Sequence, residues 1–137
     1  MRQLLKTCYL FVHTVPDRVY PFKNEIEGRF VRGRESYRRA VQQSFEMYGP
    51  NHFGLKLTFY RGTFHLLGSI VFILMATFVS QRLFGSEMAL YALMATMIVG
   101  IFIQEFYWQP RALGQLRYKG IFDWLTWVTP MLLYFIL

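Results

Sequence analysis

Apolar residues gather in three long stretches near the C-terminal end of the chain. Gly62 to Gln81 and Met88 to Gln104 carry no charge, and Ile121 to Leu137 is interrupted only by Asp123. A helix rises about 1.5 Å per residue, so about 20 residues cross a hydrocarbon core of about 30 Å. The first stretch is long enough as it stands. The second reaches the length by adding Phe106, Tyr107 and Trp108, whose rings suit the headgroup level. The third is the shortest and contains Pro130, so it must cross with little tilt, thin the bilayer, or finish against a partner. The pattern predicts an all-α membrane protein with three transmembrane helices, over about residues 62–82, 88–108 and 120–137. A basic, amphipathic, helical tail precedes them, dividing the chain into a tail (1–60) and a membrane domain (61–137).

Within the tail, residues 1–16 set Arg2 and Lys6 among Leu4, Leu5, Tyr9, Leu10, Phe11 and Val12. The apolar run is short for a targeting segment and no small-residue cleavage site follows, so it reads as an amphipathic piece resting on a membrane or a partner. Pro16 and Pro21 interrupt any regular element. From Asn24 the spacing turns helical: Asn24 and Glu27 stand in capping-box positions, and Ile26, Phe30, Tyr37, Val41, Phe45 and Tyr48 line one face. Gly28 and Gly33 each weaken an isolated helix by about 1 kcal/mol, so this helix needs a surface to dock on. Gly49 and Pro50 end it. Beyond them, the alternation of Phe53, Leu55, Leu57 and Phe59 fits either a short strand or a segment lying along the membrane.

Charge supplies an orientation. Arg2, Lys6, Arg18, Lys23, Arg29, Arg32, Arg34, Arg38, Arg39, Lys56 and Arg61 precede the first stretch; Arg111, Arg117 and Lys119 separate the second from the third; the remaining turn holds only Arg82. By the positive-inside rule the N-terminus lies in the cytoplasm or matrix, the C-terminus on the opposite face, and the membrane is a bacterial or mitochondrial inner membrane. A composition 54% hydrophobic excludes disorder. The net charge of +7 is juxtamembrane, which favours anionic lipid headgroups over nucleic acid, each Lys or Arg near such a surface contributing about 1 kcal/mol. Arg29, Arg32, Arg34, Arg38, Arg39, Arg111, Arg117 and Lys119 are the expected headgroup contacts. Cys8, the single cysteine, excludes an internal disulfide and a cysteine-based metal site.

Helices in lipid associate through close packing and interhelical hydrogen bonds, so stripes of small residues mark contact faces. His65, Ser69, Ala76 and Ser80 form one on the first stretch, and Ala92, Thr96, Gly100 and Gln104 form another on the second. The two stripes are expected to face one another or a common third helix. Three polar residues share a depth near the basic side: His65, Glu105 and Asp123. Such a set has the chemistry to bind a cation, relay protons or act as acid and base. Interfacial pairing and snorkelling explain every member without function, because Arg61 and Lys119 precede His65 and Asp123 by four residues and Arg111 follows Glu105 closely. No metal or cofactor is expected. Nucleotide-binding and hydrolase motifs are absent, and His13 and His52 have no ligand companions.

In size and in its basic tail the chain resembles the small three-helix lipid kinases of bacterial membranes, but the acidic and Asn motif residues of such an enzyme are missing, so no family follows. The expectation is a non-catalytic subunit of a larger inner-membrane complex, with other membrane subunits, foreign or its own copies, as partners. The alternatives are a self-assembling ion- or proton-conducting oligomer lined by His65, Glu105 and Asp123, and a small lipid-modifying membrane enzyme.

Overall fold

A computed structural model describes residues 3, 7, 10, 11, 14–49 and 52–136, with the side chain of Leu113 left aside. The expectations for Cys8, His13, Pro50 and most of the amphipathic piece over 1–16 fall outside the described residues. The fold is mostly helical, in two compact units, Met1–Leu57 and Thr58–Leu137.

The first unit holds a short helix, α1 (Val15–Arg18), a hairpin of β1 (Asn24–Ile26) and β2 (Arg29–Val31), and α2 (Gly33–Tyr48). The expected helix from Asn24 is therefore corrected: its first part is a β-hairpin, with Glu25 opposite Phe30 and Ile26 opposite Arg29. Glu27 and Gly28 make the two-residue turn with φ of 52° and 77°, the doubly positive geometry that suits the twist of antiparallel strands and that glycine adopts without strain. Asn24 caps no helix. Its amide donates to the Ser36 carbonyl (2.7 Å) and hydroxyl (2.9 Å), and the Ser36 hydroxyl donates to the Phe22 carbonyl (2.6 Å). Gly33 opens α2 with φ of 60°, and a β-carbon there would meet the Arg18 carbonyl oxygen at 2.9 Å. Of the expected aromatic stripe, Tyr37 is buried and packs edge-on against buried Tyr20, ring centroids 5.5 Å apart. Phe45 and Tyr48 remain exposed. Gly49 ends α2, its N–H bonded to the Phe45 carbonyl at 2.9 Å.

The second unit is built from three long helical segments. Leu55–Val79 (α3, its first turn in the first unit) runs into a π-helical turn at Ser80–Phe84; the residues from Leu55 onward are helical, which removes the strand reading of Leu55, Leu57 and Phe59. Gly85, at φ of 57°, closes that segment. Glu87–Ile103 (α4) continues through a second π-helical turn, Gln104–Trp108, into α5 (Gln109–Leu113), which Gly114 ends at φ of 63°. The last segment, α6 (Arg117–Ile136), holds Pro130 inside it. Two segments, Leu55–Phe84 and Glu87–Ala112, are long and apolar enough to cross a membrane. Among the described residues α6 is not a third: Lys119, Gly120, Asp123 and Pro130 dilute its hydrophobicity.

Ile73 and Ala76 of α3, Leu90 and Met94 of α4 and Met131 of α6 form the apolar core of this unit, with Trp127 packed against it. α3 and α6 meet through small residues. A β-carbon on Gly62 would lie 2.7 Å from the Phe122 ring, and one on Gly68 2.7 Å from the Trp127 ring. The Ser69 hydroxyl donates to the Trp127 carbonyl at 2.6 Å. Ser69, Ala76 and Ser80 are buried and His65 half-buried, so the stripe on α3 is turned inward. On α4 the packing face is Leu90, Met94 and Ile101. Ala92, Thr96, Gly100 and Gln104 are exposed, and a β-carbon on Gly100 would meet nothing within 4 Å. The expectation that the two small-residue stripes face one another or a common third helix is corrected, since the stripe on α4 faces neither. The bulky side chains fill the space between helices, while the small ones line the outside.

A buried polar chain across three helices

Glu105 continues the packing face of α4: Leu90, Met94, Ile101 and Glu105 recur at spacings of four, seven and four, which keeps them on one side of the helix. The carboxylate is therefore carried into the bundle, where Glu105 is 3% exposed. Three glutamine amides donate to it. Gln109 reaches Oε1 at 2.7 Å, Gln115 reaches Oε2 at 2.6 Å, and Gln104 approaches Oε1 at 3.3 Å. The Gln115 carbonyl oxygen in turn accepts from Lys119 Nζ at 3.3 Å. Lys119 also pairs with Asp123 Oδ2 at 2.9 Å, one helical turn along α6. The other Asp123 oxygen, Oδ1, lies 3.5 Å from His65 Nδ1 on α3, and the Thr126 hydroxyl stands 3.4 Å from the same nitrogen. The His65 ring stacks on Trp127 with centroids 5.9 Å apart.

The three residues singled out by depth thus belong to one connected network, though not to one ligand sphere. His65 and Asp123 are adjacent; Glu105 joins them only through Gln115 and Lys119. Among the described residues no group of three His, Cys, Asp or Glu side chains could hold a metal ion. The link through Gln115 orients its neighbours but offers no titratable proton. Neither the cavity lined by Glu25, Glu35 and Arg38 nor the one lined by Ser80, Glu87 and Tyr134 includes His65, Glu105 or Asp123. Chemically, the arrangement balances charge: the Asp123 carboxylate sits against an ammonium and an imidazole, and Glu105 is solvated by amides. A charge at the centre of a membrane helix costs about 2.5–3.5 kcal/mol on insertion scales, and a buried ion needs this degree of hydrogen bonding to be tolerated.

Several sequence expectations change here. Lys119, placed at the headgroups, is 7% exposed and turned onto Asp123, because an (i, i+4) partner on its own helix outcompetes the surface. Arg111 does not pair with Glu105; its guanidinium lies 3.6 Å from the centre of the Tyr107 ring, a cation–π contact at the edge of the bundle. Arg29, Arg32, Arg34, Arg38 and Arg117 are exposed and Arg39 is half-buried. Sequence reasoning missed Gln109, Gln115 and Thr126. A usable signal was present for the first two: a carboxylate on an apolar face, followed at four and ten residues by amides able to solvate it. Trp124 points its indole N–H toward the Ile98 carbonyl at 3.5 Å and packs edge-on against Phe102 and Phe106. Compared with known proteins, the chain matches no family model, no curated protein and no solved structure.

Proposed function

We propose that the chain is a three-span protein of a bacterial or mitochondrial inner membrane, with its N-terminus on the cytoplasmic or matrix side, acting as a non-catalytic subunit of a larger membrane complex. Membrane residence is supported by the outward surface of the second unit. Leu74, Phe78, Val99, Ile103 and Leu132 stand about half or more exposed, a continuous apolar exterior that water-soluble monomers rarely tolerate. The exposed arginines of the first unit, and separately Arg111 and Arg117 of the second, are suited to anionic headgroups.

The observation that carries the subunit reading is the contrast between satisfied and unsatisfied surfaces. The polar groups within the bundle are closed on one another, whereas the small-residue face of α4, with Ala92, Thr96 and Gly100, is left open for another helix to approach. Purification of the native protein in mild detergent, followed by mass spectrometry of what co-migrates, tests it. Foreign membrane subunits in stoichiometric amounts are expected, and Gly100→Leu is expected to release them. A preparation holding only copies of this chain would overturn the reading.

One observation favours a second reading, a proton- or ion-conducting oligomer: the polar chain runs from Glu105 through Gln115, Lys119 and Asp123 to His65. Beyond His65, however, Ile73, Ala76, Leu90, Met94 and Met131 close the way with apolar side chains. A conducting path would have to run between copies, and it predicts conductance in reconstituted bilayers that Asp123→Asn abolishes.

A further inference from the structure

The third helical segment differs from the other two in a way that bears on how it enters a membrane. By length and hydropathy, Leu55–Phe84 and Glu87–Ala112 are each long and apolar enough to cross a membrane, whereas among the described residues Arg117–Ile136 is less apolar and is not such a segment. Its deficit lies in its first two turns, with Lys119 and Asp123. Those groups are not turned to the outside. Asp123 accepts from Lys119 and faces His65 of α3, and Gln115, just ahead of the helix, holds Glu105 of the preceding segment. Backbone contacts point the same way: the Ser69 hydroxyl donates to the Trp127 carbonyl, and Gly120 lets α6 approach the Glu105 carbonyl so closely that a β-carbon would stand 3.0 Å from it. Asp123 and Gln115 are thus met by His65 and Glu105 of the first two segments, and Lys119 is held between Asp123 and Gln115.

Resting on the three-span reading, we propose that the last segment crosses the membrane only by docking on the first two, with His65 and Glu105 as the polar template that admits its charged end. The physical basis is the exchange of environment. In lipid, the Lys119–Asp123 pair has only its own helix and Gln115 for polar company; against the preassembled pair of helices Asp123 gains the His65 imidazole and Gln115 gains the Glu105 carboxylate. The pair of autonomous segments inserts first, and the third follows as a tertiary event.

Glycosylation mapping of the full chain tests this, since the sequence carries no Asn-x-Ser/Thr acceptor of its own. An acceptor-bearing extension after Leu137 reports whether the third segment crosses; a second acceptor inserted between Gly85 and Ser86 reports the first two. The unaltered chain is expected to be modified at both positions. In His65→Leu/Glu105→Leu the turn acceptor is still modified, because both changes make their helices more apolar, while modification at the C-terminal end falls at least about tenfold relative to the unmodified form. Adding Lys119→Leu/Asp123→Leu to that background makes the segment self-sufficient and restores crossing. Full crossing in the template-less variant, or no recovery in the fourfold variant, overturns the templating proposal while leaving three spans intact. An unmodified C-terminal end in the unaltered chain overturns the three-span reading and the proposal together.

Discussion

The two ends of the three-helix unit hold together by opposite means. At one end, His65, Glu105, Gln115, Lys119 and Asp123 form directed bonds that cross from helix to helix; at the other, Ile73, Ala76, Leu90, Met94 and Met131 meet without direction. On the proposed three-span reading, the difference carries weight in lipid. Apolar side chains exchange one hydrocarbon neighbour for another and gain mainly by packing, so an apolar core tolerates rotation and sliding of its helices. A carboxylate aimed at an amine does not. The polar end sets register and rotation, and the apolar half adds contact area to whatever register results.

The sharpest break of that contrast is to remove half of the ion pair. Asp123→Leu leaves the Lys119 ammonium buried without its carboxylate and is expected to destabilise the bundle by about 3–5 kcal/mol, whereas Lys119→Leu/Asp123→Leu together should be nearly neutral. Reversible unfolding in mixed micelles, followed by tryptophan fluorescence, reads both. Equal losses in the two variants would show that the pair contributes through its shape and not its charge. In the apolar half, Met94→Ala should cost about 2–5 kcal/mol by the same assay, with no recovery from any partner substitution, since the lost term is packing alone. At the α3–α6 crossing, Gly68→Ala drives a β-carbon into the Trp127 ring and should cost about 1–3 kcal/mol; Gly100→Ala, on the open face of α4, should cost nothing measurable in the isolated chain. The smallest effect belongs to Ser69→Ala, which deletes one interhelical hydrogen bond, a change averaging about 0.6 kcal/mol in membrane helices.

Where the sequence misled, it did so for definable reasons. The period of Ile26, Phe30 and Tyr37 fits a helix, but Glu27–Gly28 offers a hairpin turn, and Asn24 then finds a partner twelve residues away in Ser36 that no local pattern announces. On α4 two four-residue periods run side by side, one of small residues and one of Leu90, Met94, Ile101 and Glu105. Composition alone favoured the small set, because close approach is the usual mark of a contact. The structure uses the bulky set inside, since the small set on α3 already provides the close approach to α6 and the remaining gap needs volume.

From the residues alone came the helical character of the apolar half and the approximate positions of the two segments long and apolar enough to cross a membrane. These follow from local properties: hydropathy summed along a segment, the rise of a helix, and the order of charges along the chain. Which face of each helix turns inward, that Lys119 looks to Asp123 and not to the surface, and that Gln115 rather than Arg111 answers Glu105 were decided only when three helices competed for the same neighbours. Partner choice inside a bundle is a comparison between distant residues, and a linear pattern holds no record of which of them wins.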